Sequence, residues 1–358
     1  MPPIVIGIDA HKSSHTCAAV DGMGRVLAVK TVAATTAGHM NLMAWARMSF
    51  GDDLKFGVED VRVVTRRLEE DLFGAGQVVV RVPANTMGRV RASGRARGKS
   101  DPIDATAVAR AVLREPDLPE AFQDPLSRAF GLLINRRDVL VHQRTATITR
   151  VIWRIHELDP ERGSSLGSLN YEVHRDPLDR WLATQSGVVA EIARQELSEV
   201  AVLSTKIGDL RKRISKDARQ SLPNMLTVVG CGELMAAKIV GETGSPRRFK
   251  DEAAFARYAG VAPLPHWSGS TEGRMRMTRS GNRQLNMALH RIAVVQIQRE
   301  GPGQRYYRRR REMGDNYYSA MRRLKRRIVR VVFSRMTTDL RAHAERTADD
   351  QTTRSSGS

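Results

Sequence analysis

The stretch from Leu126 to Leu222 constrains this chain more than any other. Up to Leu158 its apolar residues Leu126, Phe130, Leu133, Val141, Ile148, Ile152 and Ile155 recur at helical spacing. A second helical run spans Leu178–Leu222, and residues 160–177, with Gly, Ser and Pro, read as the loop between them. Two helices of this length do not fit within one sheet layer, so compact regions must lie on either side of an arm. The arm reads as a coiled coil that drives oligomerisation, and an intramolecular helical hairpin is the plain alternative. The resulting division is 1–120, 121–222 and 223–340, with a polar, apolar-poor tail at 341–358 that is expected to be disordered.

The region before the arm alternates strand and helix patterns. Ile4–Ile8 is a β-branched run, His15–Val20 and Arg25–Val32 are further strands, and Asp21-Gly22-Met23-Gly24 marks a turn. A helix at Ala37–Phe50, a strand at Leu54–Val58, a helix at Val61–Ala75 and a strand at Gln77–Val82 follow. The expected fold is an α/β mixed sheet of five strands, followed by a helical arm and a mainly α C-terminal domain.

Charge separates these regions. Residues 1–80 carry 8 Lys/Arg and 9 Asp/Glu, whereas the remaining 278 carry 50 and 30, within a total of +19. A near-neutral head on a strongly basic body fits a catalytic domain joined to a platform for a polyanion. The opening MPPIVIGIDA meets an acid at Asp9 and is expected to be neither a signal peptide nor a membrane span. Cys17 and Cys231 have no paired spacing, which fits a reducing cytoplasm and no zinc site.

Asp9 closes the first strand, Glu59 ends the fourth, and Asp101 and Asp104 lie three apart on one helical face. Four carboxylates brought together at strand ends repel one another unless cations neutralise them, and hard divalent ions with oxygen ligands serve that purpose. Taken singly, Asp101 also fits a helix cap, Asp104 a first-turn acid and Glu59 a solvated strand end, with Asp60 beside it. The segments Gly7-Ile8-Asp9-Ala10-His11-Lys12, Gly57-Val58-Glu59-Asp60 and Gly98-Lys99-Ser100-Asp101-Pro102-Ile103-Asp104-Ala105 resemble, in order and spacing, the three motifs of the DEDD transposases of the IS110 insertion-sequence family. That resemblance implies a RuvC-like, ribonuclease H-type N-terminal domain. It also implies a metal-binding catalytic tetrad of Asp9, Glu59, Asp101 and Asp104, with Mg²⁺ or Mn²⁺ as cofactor.

The C-terminal region carries a second pattern. Thr227-Val228-Val229-Gly230-Cys231-Gly232 leads into a helix and reads equally as a phosphate-gripping helix-hairpin-helix turn or an ordinary turn. Family members often place proline and isoleucine where Val229 and Cys231 stand. Gly260-Val261-Ala262-Pro263, then Ser268-Gly269, then Gly281-Asn282 resemble the C-terminal domain of the same family. The resemblance makes Ser268 the catalytic nucleophile, with Ser270 a rival that fits less well. Arg274, Arg276, Arg279 and Arg283 follow closely and are candidates to hold flanking phosphates. So are Arg95, Arg97 and Lys99 before the third motif, and Arg308, Arg309, Arg310 and Arg311 in a segment with eleven Lys/Arg between Arg305 and Arg330.

The expected function is that of a transposase that cleaves and rejoins DNA by Mg²⁺-assisted transesterification through a serine. The resemblance implies donor and target DNA as partners, dimers or tetramers assembled through the arm, and a bacterial, cytoplasmic, nucleoid-associated setting. It extends to RNA-guided recombinases, which choose their DNA with a structured non-coding RNA. Two rival readings stay open, a Holliday-junction resolvase that uses metal-activated water and a non-catalytic nucleic-acid-binding protein.

Overall fold

The β-branched run at the start of the chain becomes β1 (Ile4–Ala10). β2 (Ser14–Val20) and β3 (Val26–Ala33) continue it as an antiparallel meander. The computed structural model describes residues 4–59, 62–82, 100–115, 118, 120–122, 124–164, 167–265, 275–277 and 281–355. Asp21 makes the β2–β3 turn: its carboxylate accepts from the backbone N–H groups of Met23 and Arg25, and Gly24 supplies a φ of 82°. After α1 (Thr36–Phe50), β4 (Leu54–Glu59) pairs in parallel with β1. After α2 (Arg62–Gly74), β5 (Val78–Val82) pairs in parallel with β4. The order β3-β2-β1-β4-β5 is the five-stranded mixed sheet expected from the sequence.

Period-two alternation sends β1 residues to two cores. Ile6 and Ile8 join Phe56, Val58, Leu42, Leu68 and Leu72 beneath α1 and α2. Val5 faces the other way and packs with Val80, Val82, Val108 and Val112 beneath α3 (Asp101–Arg114). On this second face Gly7 and Gly57 are register partners. A Cβ at Gly7 would lie 2.1 Å from the Ala105 carbonyl oxygen, and one at Gly57 would lie 2.8 Å from Val112. The glycine pair therefore forms a trough that lets α3 lie directly on the strands.

The first face buries a polar chain. His15 and His39 meet Nε2 to Nε2 at 3.1 Å, and Asp71 accepts from His39 Nδ1. His15 Nδ1 is buried with no partner among the described residues. Burial, and then the neighbouring His39, push the His15 pKa down to about 4.

The N-terminal unit is Met1–Gln123 and the second is Asp124–Ser358. In the second unit the arm is α4 (Pro125–Leu158), α5 (Pro160–Ser164), α6 (Glu172–Leu182) and α7 (Val188–Ser221). Two sequence expectations are corrected here. The stretch 160–177 is not all loop, because it holds α5 and the start of α6. The run 178–222 is not one helix, because Gly187, with φ 93°, separates α6 from α7. The seams of α4 and α7 face each other within one chain, antiparallel, with Glu196 accepting from Arg150 and Arg154 at 2.7 Å each. The intramolecular hairpin is thus what forms. A helical period identifies an apolar stripe but not the partner that covers it.

Phe130 and Ile134 of α4 and Ile214 and Ala218 of α7 enter one core with the helices that follow. Residue 222 is therefore not a packing boundary. Those helices are α8 (Pro223–Leu226), α9 (Glu233–Thr243), α10 (Glu252–Tyr258), α11 (Arg283–Gln298), α12 (Pro302–Glu312) and α13 (Tyr317–Ser355). Asp339 on α13 caps α8 by accepting from the backbone N–H groups of Asn224 and Met225. A two-stranded hairpin, β6 (Pro263–Pro265) and β7 (Met275–Met277), precedes α11. The helix α13 runs well into 341–358, where disorder is expected. Low apolar content there removes packing but leaves Ala, Arg and Glu, which are good helix formers. No helix among the described residues is long and apolar enough to cross a membrane.

Candidate functional site

The glycine trough determines where the acids go. Because α3 lies against β1, its first turn reaches the end of that strand, where Asp9 projects on the same face as Val5 and Gly7. Asp101 is exposed at the start of α3, and Asp104, one turn on, is buried. Both lie in the first helical turn, where the free backbone N–H groups favour negative charge by about 0.3–1 kcal/mol at exposed sites. His11, two residues after Asp9, donates from Nε2 to Asp9 Oδ2 at 3.0 Å and lies 3.5 Å from Asp101 Oδ1. One ligand atom each from Asp9, His11 and Asp101 lies within 4.8 Å of the others.

Electrostatics ties Asp104 to the same group. Burial pushes the Asp9 pKa up, His11 opposes that, and the charges of Asp104 and Asp101 push it further up. Glu59 ends β4, half-buried. The parallel register pairs Ile8 with Val58, and one step further it sets Asp9 beside Glu59 on the α3 face. Asp9, Asp101 and Asp104 are thus brought together, and Glu59 stands at the adjacent strand end. Sequence reasoning missed His11 as a donor, and its position two residues past a strand-ending acid is the signal that points to it. The donor set fits a divalent cation. Its carboxylates suit a hard ion, their mutual repulsion is what a cation relieves, and an imidazole nitrogen is a further ligand.

The serine pattern is framed but not spanned by the described residues. Ser268, Ser270, Arg274 and Arg279 lie outside them, as do Asp60, Arg95, Arg97 and Lys99. Ser268 falls in the connection between β6 and β7, and Arg276 is paired through its backbone with Leu264. The Gly and Gly-Asn members of the pattern close the base of that hairpin. Gly260 has φ 64°, and a Cβ on Gly281 would lie 2.3 Å from Gly260 Cα. The Asn282 backbone N–H donates to the Tyr258 carbonyl at 2.7 Å, and its side chain accepts from Leu285 N to cap α11. Asn282 Nδ2 donates to Glu242 Oε2 at 2.9 Å. Asn286 donates to the carbonyls of Ala259 and Gly260, and Lys325 donates to Asn286. Glu242, Tyr258, Asn286 and Lys325 were not singled out from sequence, because partners this far apart in the chain leave no local pattern.

Two sequence readings of the basic unit change. At the Thr227–Gly232 turn, the Glu233 carboxylate accepts from its own backbone N–H and pairs with Arg219 at 2.8 Å. The first turn of α9 is therefore already served by an acid, which favours the ordinary turn. In the arginine run, Arg308, Arg309 and Arg311 are exposed, but Arg310 is held by Asp315 at 2.6 Å, and Arg323 shares that carboxylate. Arg310 fixes the α12–α13 connection, since a helix turns one residue in four toward its neighbour. Arg283 is exposed at the start of α11.

Comparison with known proteins finds family matches in both the N-terminal and the C-terminal parts of the chain. A sequence family described as "Transposase", of the DEDD IS110 type, matches residues 6–158, and one described as "Transposase IS116/IS110/IS902 family" matches residues 222–308. The chain is 25% identical to the insertion element IS116 protein of Streptomyces clavuligerus, covering 92% of this chain and 94% of that one. It is 26% identical to the insertion element IS900 protein of Mycobacterium paratuberculosis, covering 96% of each. It is 35% identical to the mini-circle putative transposase for IS117 of Streptomyces coelicolor, over 34% of this chain and 30% of that one. Among solved structures, T. thermophilus RuvC in complex with a Holliday junction substrate aligns with 33% of this chain and 99% of that one, at 14% identity and a TM-score of 0.27.

Proposed function

The chain belongs to the IS116/IS110/IS902 family of insertion-sequence transposases, and on that premise we propose that it cleaves and rejoins DNA by transesterification through Ser268. A transposase is an enzyme that acts on DNA. The observation that carries the finer reading is the convergence of Asp9, Asp101 and Asp104 at one strand end, in a chain whose sequence also holds the serine pattern. Asp9, Asp101, Asp104 and Glu59, with His11, would hold a divalent ion of the Mg²⁺ or Mn²⁺ kind. When bound, such an ion supplies positive charge against oxygens on which negative charge develops.

The Ser268 hydroxyl oxygen attacks phosphorus, and its proton is lost to a base. The bond from phosphorus to the departing strand breaks, and that strand leaves with a hydroxyl. The new serine–phosphate ester keeps the phosphodiester energy, so a second DNA hydroxyl can displace the serine without ATP. Exposed Arg308, Arg309 and Arg311 support phosphate neutralisation, and Arg274, Arg276, Arg279 and Arg283 adjoin the serine in sequence. RNA guidance belongs to the same proposal, and only the positive charge of this unit supports it.

The test is to incubate wild type and Ser268→Ala with insertion-element end DNA, denature, and look for protein carrying labelled DNA. The adduct is expected in wild type and absent from Ser268→Ala, which keeps DNA binding. Cleavage by wild type without an adduct, on a substrate nicked to trap one, favours the hydrolytic resolvase. An adduct that persists in Ser268→Ala moves the role to another residue, Ser270 first.

A further inference from the structure

Lys325 stands apart from the arginines around it. It lies on α13 and donates to Asn286 Oδ1, while the amide nitrogen of Asn286 donates to the carbonyls of Ala259 at 3.1 Å and Gly260 at 2.9 Å. The lysine is thereby fixed to the base of the β6–β7 hairpin. An ammonium has three N–H donors, and Asn286 takes one. No carboxylate among the described residues pairs with Lys325. Elsewhere on α13 and its flanks, Glu252 pairs with Arg326 and Asp315 with Arg310 and Arg323. The side chain is half-buried, and loss of water pushes its pKa down to about 8. It therefore remains mostly charged at neutral pH. Burial, and then the Lys325 charge, push the pKa of His290 on α11 down.

A cation withdrawn from water beside a neutral amide, with no counter-ion among the described residues, is costly to keep. The cost is relieved when an anion arrives. Arg308, Arg309 and Arg311 are solvated and neutralise a polyanion diffusely, whereas Lys325 is held by its stem and one donor and offers the remaining donors from a set place.

We propose that Lys325 is a phosphate-binding site at the base of the β6–β7 hairpin, and that it takes a non-bridging oxygen of a backbone phosphodiester of bound DNA. This rests on the reading that the chain binds DNA. Lys325 is the directed contact that registers the strand against the hairpin, and the exposed arginines supply the field around it.

Full-length protein and a fluorescent DNA duplex, titrated by anisotropy over a KCl series, test this. Loss of one phosphate contact lowers the slope of log affinity against log salt by about 0.9. Lys325→Met should show that decrease and weaker binding at low salt. Lys325→Arg should keep the slope, and Arg346→Gln, an exposed charge near the end of α13, should leave it unchanged. A wild-type slope in folded Lys325→Met overturns the proposal, because a merely structural lysine would not alter counterion release. Wild type with no salt-dependent binding overturns the DNA reading itself. Wild-type protein labelled with ¹³C-lysine gives a measurement independent of any variant. The Lys325 Cε signal should titrate near 8 in the free protein and upward of that with DNA. A signal that moves with inorganic phosphate but not with DNA assigns the site to a free anion and contradicts the proposal.

Discussion

The end of β1 and the base of the β6–β7 hairpin are built alike and charged oppositely. Each depends on a pair of glycines where an added Cβ would be crowded: Gly7 against the α3 backbone and Gly57 against Val112, and Gly260 against Gly281. At the first, the close approach gathers Asp9, Asp101 and Asp104, and the Asp9 pKa is pushed up. At the second, it sets the Asn286 amide against Lys325, whose pKa is pushed down by burial. In both places the ionised form is disfavoured by the fold alone. A cation would relieve the first and, on the proposal above, a phosphate the second.

The largest test of this likeness is steric. Gly7→Ala and Gly281→Ala should each lower stability by about 2–3 kcal/mol in chemical denaturation, from overpacking against backbone. Gly74→Ala, where a Cβ meets nothing within 4 Å, should change stability by less than about 0.5 kcal/mol. Equal tolerance at all three positions would break the comparison.

His15 provides a contrast, a titrating group withdrawn from water with no ligand to relieve it. Its folded pKa is about 4, against an ordinary 6.5. Between those values protons bind the unfolded chain but not the native one. Stability is therefore complete above pH 6.5, falls as pH drops toward 4, and levels off below. His15→Gln should flatten that limb of the pH–stability curve, with Mn²⁺ and DNA both leaving it in place. An unchanged limb in His15→Gln removes the assignment.

The smallest expected effects separate Arg310 from its neighbours. Arg308→Gln should reduce DNA affinity a few-fold at low salt and leave stability unchanged. Arg310→Gln should lower stability through loss of its Asp315 pair, with a smaller effect on DNA. The reverse pattern would return Arg310 to the phosphate-binding set.

The sheet and its acids were legible because local pattern encodes them. Ile4–Ile8 ends on an acid, and Ser100-Asp101-Pro102 announces a helix start with two acids on one face. The trough was not legible, since Gly7 and Gly57 are fifty residues apart and only the parallel register makes them partners. The Lys325–Asn286–Gly260 chain was hidden in the same way, its members joined across 39 and 26 residues. The arm shows what remains open even with a clear period. Its apolar stripe fits either a second copy or an intramolecular hairpin, and Leu197 and Val151 pack within one chain. Arg310 was grouped with its neighbours because composition counts charges and does not see Asp315.

The central claim is that the acids at the end of β1 and the start of α3 act as one cation site, and Mn²⁺ titration of the full-length chain tests it most directly. Wild type should bind Mn²⁺ as followed by electron paramagnetic resonance. Asp9→Asn and Asp104→Asn should each weaken that binding by at least about tenfold, the scale on which even outer partners of metal ligands act. Asp52→Asn, an exposed acid away from this cluster in the sequence, should not. Wild type that fails to bind Mn²⁺, or unaltered affinity in Asp9→Asn and Asp104→Asn, would contradict the account.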